Sequence, residues 1–188
     1  MFVLFMALIY ISCDETADLF DQPIDDLINE QVVRSQSYDS ITPTYGMQVA
    51  IDSRVDKGTK GVLDLLDTDA AQFLNCQFEG GADIGFEEFT LPDDTMVPPL
   101  SELRVYVVPS RFECMAVGLD ICAGIYFFAL DIIVISEGGF QGCGEFALWK
   151  HELGHRYGME VDHSNQSDFE PCAKPEGCDF DDVIDIGL

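Results

Sequence analysis

Basic residues are few in this chain: nine Lys and Arg stand against 35 Asp and Glu among 188 residues, a formal charge of −26. That balance excludes nucleic-acid binding, because contacts to phosphate need Lys and Arg. Long apolar runs are lacking too. Met1–Ser12 and Gly124–Ser136 are the most apolar stretches, and both are too short to cross a bilayer as helices. Tryptophan occurs once and histidine three times. The negative charge is spread along the chain and reads as a solvated surface; attraction for basic peptides or calcium is the functional alternative. The acidic tail Asp179–Asp185 lacks the spacing of a recognised calcium loop.

The scarcity of histidine sharpens what is there. His151, His155 and His163 are all the histidines of the chain, and they fall within one short segment. His151-Glu152-Leu153-Gly154-His155 is an H-E-x-x-H pattern. On a helix, residues four apart share a face, so His151 and His155 can direct two imidazoles at one metal ion, with Glu152 beside them as a general base. Gly158 can end that helix in a left-handed conformation. The chain then turns and offers Asp162 and His163. A catalytic zinc site uses three protein ligands and one open position. His163 is the preferred third ligand because imidazole suits zinc, and Asp162 is the alternative.

The run His151–Met159 resembles the zincin metallopeptidases, and the position of Gly158 is similar to that in metzincins. Where metzincins place their third ligand, this chain has Val161, and no methionine follows Met159 to form their methionine turn. A closer likeness is to small bacterial zincin-like lipoproteins with H-E-x-x-H, a glycine, a late histidine and then F-x-x-C, here Phe169–Cys172. The resemblance implies a zinc-dependent peptidase acting on a peptide or protein substrate. In it His151, His155 and His163 hold Zn2+ and Glu152 moves the proton. It also implies a substrate-side strand, for which Tyr126–Ile135 is the candidate. Tyr126, Arg156 and Arg111 are candidates to assist at the oxyanion, and Asp162 to orient a ligand. The rival readings are a non-catalytic zinc-binding surface module and an amidase acting on cell-wall peptides.

Seven cysteines fit an exported protein. Residues 1–12 read as a leader, and Ile11-Ser12-Cys13 looks like the lipobox of a bacterial lipoprotein, although no basic residue precedes the apolar run. Cys13 is then the lipid-anchored residue, or else a free thiol. Six cysteines remain, an even number suited to three disulfides. Cys114 with Cys122 and Cys172 with Cys178 are the near pairs, and Cys76 is expected to be tied elsewhere. Residues 13–45 read as an acidic tether, with a short helix over Asp25–Val33, and residues 46–188 as one domain.

The expected fold is α+β and zincin-like: a small, mixed, twisted sheet with an active-site helix and a second helix packed on one face. Strands are predicted at Met47–Ile51, Phe86–Leu91 and Leu103–Val108. Gly124–Ser136 is predicted as either a hairpin turning at Ala129-Leu130-Asp131 or one bent strand. Gly61–Phe78 carries an apolar stripe of Val62, Leu65, Leu66, Ala70, Phe73 and Leu74 at helical spacing. A glycine-rich loop through Gly144 precedes a helix from Glu145 to Gly158, whose buried side is Phe146, Trp149, Leu153 and Tyr157.

Overall fold

The computed structural model describes residues 27–116, 119–140 and 142–173. The predicted leader, Cys13, the first part of the tether, Cys178 and the acidic tail lie outside the described residues, as do the side chains of Cys143 and Phe146.

In chain order the first elements are α1 (Glu30–Arg34), β1 (Ser40–Ile41), β2 (Gln48–Ile51), α2 (Thr59–Gln77), α3 (Gly81–Ile84), β3 (Phe89–Thr90) and β4 (Met96–Val97). There follow β5 (Arg104–Val108), β6 (Phe112–Ala116), β7 (Leu119–Cys122), β8 (Gly124–Phe127), β9 (Ile132–Ser136), α4 (Gly142–Arg156) and α5 (Glu170–Ala173).

Val49–Ile51, Val105–Val108 and Ile132–Ile135 are apolar at nearly every position rather than at alternate ones. That pattern belongs to parallel strands covered on both faces. It is what forms: β2, β5 and β9 run parallel in the middle of a five-stranded sheet ordered β1-β2-β5-β9-β8, with β1 and β8 antiparallel at its edges. The fold is therefore mixed α+β.

One face packs Val49, Val105, Val107, Ile133 and Ile135 against α2 and α4. The stripe on α2 is buried as its spacing predicts, with Val62, Leu66, Ala70, Phe73 and Leu74 fully inside. The other face packs Ala50, Tyr106, Val108, Ile132 and Val134 against Ile28, Val33 and the β6–β7 hairpin. Thus residues 27–45, within the stretch read as a tether, are folded onto the sheet. Their short helix begins at Asn29, whose Oδ1 accepts from the backbone N–H of Gln31 and Val32.

Gly124–Ser136 is a hairpin. A 3₁₀ turn at Phe128–Leu130 and a left-handed Asp131 (φ 49°) join β8 to β9. Helix α4 starts at Gly142, three residues before the predicted start at Glu145, so Gly142 and Gly144 lie inside it. Trp149 and Leu153 are fully buried, Tyr157 almost so, and Trp149 Nε1 donates to the Leu66 carbonyl.

Cys114 pairs with Cys122, as expected. Cys172, however, pairs with Cys76, 96 residues away, and not with Cys178. The reason is tertiary: α5 lies against the C-terminal end of α2 and brings the two Cα atoms to 5.4 Å, within reach of a disulfide. Among the described residues, no helix is long and apolar enough to cross a membrane.

Candidate metal centre

The site is assembled from α4 and the loop that follows it. His151 and His155 sit one turn apart on the half-buried side of α4. The helix ends in a Schellman motif: Gly158 takes φ +105°, Met159 N–H donates to the Gly154 carbonyl at 2.8 Å, and Gly158 N–H to the His155 carbonyl at 3.4 Å. Gly154 leaves room for this reversal. A Cβ there would stand 3.3 Å from Met159 Cε and 3.6 Å from Phe169.

The reversed chain is then fastened. Asn165 Oδ1 accepts from the Glu160 N–H, and Asn165 Nδ2 donates to the Gly158 carbonyl. His163 N–H donates to the Glu160 carbonyl, and His163 adopts a left-handed φ of 59°. This turn swings the His163 ring back over α4.

The three imidazoles form a nearly equilateral triangle, with ring centroids 4.8, 4.9 and 5.0 Å apart. Their ligand atoms all lie within 4.8 Å of one another. His151 Nε2 and His163 Nε2 are 3.1 Å apart. Two nitrogens bound at ~2.0–2.1 Å to one tetrahedral zinc stand roughly 3.3–3.4 Å apart, so this spacing fits a shared ion. His155 Nδ1 is 3.1 Å from the Met159 carbonyl, which suits donation from Nδ1–H and leaves Nε2 as the ligand. Burial pushes His151 down to about 3, with the neighbouring histidines adding to the effect, and burial lowers His155 as well. Neutral rings with free lone pairs are what a metal needs. The group can therefore hold a metal ion. Asp162 is not part of it: its carboxylate is exposed and accepts from the Ser164 N–H.

Glu152 points to a different neighbour. It is only 5% exposed and lies against β8. Burial pushes its carboxyl up to about 8, while a hydrogen bond from the Tyr126 backbone N–H works in the opposite direction. A nearby dication would favour the ionised form further.

Two predicted oxyanion helpers are committed elsewhere. The guanidinium of Arg156 grips the Asp131 carboxylate with two hydrogen bonds, at 2.8 and 2.9 Å, and also donates to the carbonyls of Pro98 and Pro99. Tyr126 Oη donates to the same carboxylate at 3.0 Å. The Arg156–Asp131 pair thus ties the end of α4 to the β8–β9 turn, and Arg156 alone ties it to the loop before β5. Sequence reasoning missed it, having read Asp131 only as a turn residue; Asn165 was passed over as part of a polar loop. Arg111 lies between β5 and β6 and is partly exposed.

The candidate substrate-side strand also needs correction. β9 is inside the sheet, between β5 and β8, so within Tyr126–Ile135 only Tyr126 and Phe127, the end of β8, have an outer edge. The Ser136 N–H donates to the Ala123 carbonyl. Antiparallel alternation from that bond turns the backbone groups of Gly124 and Tyr126 outward, away from β9. Among the described residues, no strand pairs with this edge. No protein-family model, curated protein or solved structure matches the chain.

Proposed function

We propose that the chain is a zinc-dependent hydrolase of the zincin type, a metallopeptidase that cleaves peptide bonds. The observation that carries this reading is the convergence of all three histidines on one point, with the motif's glutamate, next to His151 in the chain, packed against Gly124 of a strand whose outer edge no described strand covers. A purely structural site has no need of that glutamate.

His151, His155 and His163 are the ligands in this reading, and zinc, when bound, supplies Lewis acidity at the scissile carbonyl and acidifies water. Glu152 accepts the proton of the attacking water and returns it to the leaving amine. The outward N–H of Gly124 and the outward carbonyls of Gly124 and Tyr126 line up an extended peptide by strand addition. Arg156 holds the C-terminal end of α4 in place and does not touch the substrate. Export and anchoring through Cys13 belong to the same proposal; export is supported by the two disulfides among the described residues.

The test is Glu152→Gln in the zinc-loaded protein, assayed on denatured protein and on peptidoglycan. Retained zinc with hydrolysis of protein lost by about 100-fold or more is the expected result. Unchanged hydrolysis would refute the role of Glu152, and attack on peptidoglycan alone would favour the amidase reading.

A further inference from the structure

Gly124 has no backbone reason to be glycine. It lies in a regular antiparallel strand opposite Ile135 and is not among the residues of positive φ. Alanine or a β-branched residue would be the ordinary choice there. The space around it supplies the reason. A Cβ built on Gly124 would lie 2.8 Å from Glu152 Oε1, 3.1 Å from Glu152 Cγ and 3.3 Å from Glu152 Cδ. Its three nearest neighbours are all atoms of one side chain.

We propose that Gly124 is a positioning residue whose bare Cα seats the Glu152 carboxylate. The proposal rests on the hydrolase reading and adds a requirement to it. The general base is held by the strand that receives the substrate, so seat and substrate edge are one element. Any side chain at 124 displaces the carboxylate, and because the displaced atoms are the free end of a flexible side chain, the fold yields cheaply.

The experiment compares wild type, Gly124→Ala, Glu152→Gln and the double variant. Each is loaded with zinc for turnover and with Co2+ for its visible absorption, which reports on the surroundings of the metal. Gly124→Ala is expected to keep one metal per chain, to shift its melting temperature by no more than about 2–4 °C, and to lose about 10–100-fold in kcat, the cost of a misplacement near 1 Å. Its Co2+ spectrum moves toward that of Glu152→Gln, and the double variant matches Glu152→Gln alone, since Gly124 acts only through Glu152.

A kcat within twofold of wild type would overturn the proposal, as would a double variant whose spectrum departs from that of Glu152→Gln. So would failure of Gly124→Ala to fold, because only a yielding carboxylate is said to stand in the way of the new methyl. If the zinc-loaded wild type hydrolyses nothing, the hydrolase reading fails, and the Co2+ spectra still decide the seat: identical spectra for wild type and Gly124→Ala would end it.

Discussion

The two halves of the metal centre are built by opposite means. His151 and His155 stand on a 15-residue helix that is buried on several sides. Trp149 and Leu153 anchor it to α2 and the sheet, Lys150 donates to Gln72 of α2, and Arg156 clamps its last turn to Asp131. His163 stands on a short loop with exposed neighbours at Val161, Asp162 and Ser164. A glycine, one asparagine, the buried ring of Phe169 and the Cys76–Cys172 disulfide hold that loop. Gln77 adds a hydrogen bond from α2 to the Asp168 carbonyl. The comparison teaches that two ligands are preorganised by the hydrophobic core, whereas the third depends on a few polar and covalent ties.

Breaking the helix half should have the largest effect. Arg156→Leu leaves the partly buried Asp131 carboxylate without its cation and also releases the Pro98 and Pro99 carbonyls. A loss of about 3–5 kcal/mol in stability is expected by denaturant unfolding, taking sheet and helix together. The loop half comes next. Replacing both Cys76 and Cys172 with serine should cost about 2–4 kcal/mol by the same measurement, through the freed unfolded chain. It should also weaken metal binding, because the loop loses its covalent tie.

Asn165→Ala is expected to leave the fold cooperative and to reduce metal affinity about tenfold, read by competition with a chelator, since only the turn around His163 is loosened. Asp162→Ala should change affinity by less than about twofold, as an exposed carboxylate with a single local hydrogen bond contributes little. If Asn165→Ala and Arg156→Leu proved indistinguishable in both assays, the division into two halves would be wrong.

Acidity offers a separate check at the α2–α4 contact. Burial pushes Asp69 up to about 6, opposed by Lys150, and its Oδ2 has no hydrogen-bond partner. A carboxyl raised on folding stabilises the native state most below its unfolded value and loses that contribution as pH rises through the folded one. The melting temperature of wild type should therefore fall from about pH 4 to pH 6 relative to Asp69→Asn.

Much of the helix half was legible in the sequence because periodicity is a local signal. The stripe on α2 declares its buried face, the spacing of His151 and His155 puts both on one face, and the apolar runs of β5 and β9 declare strands covered on both faces. His163 was legible through scarcity, being the only histidine left. What escaped depends on partners far away in sequence. Asp131 looks like any turn aspartate until Arg156 is folded against it, and Cys172 has a near neighbour in Cys178 but a spatial one in Cys76. The seat at Gly124 was hidden for the same reason: its role is visible only once Glu152 lies against the strand.

The most direct measurement is a zinc titration of the soluble protein beginning after Cys13, followed by calorimetry on wild type and His163→Ala. One zinc per wild-type chain is expected, with affinity reduced by about 100-fold or more when His163 is removed. Equal zinc binding by both proteins would contradict the three-histidine centre on which the functional reading stands.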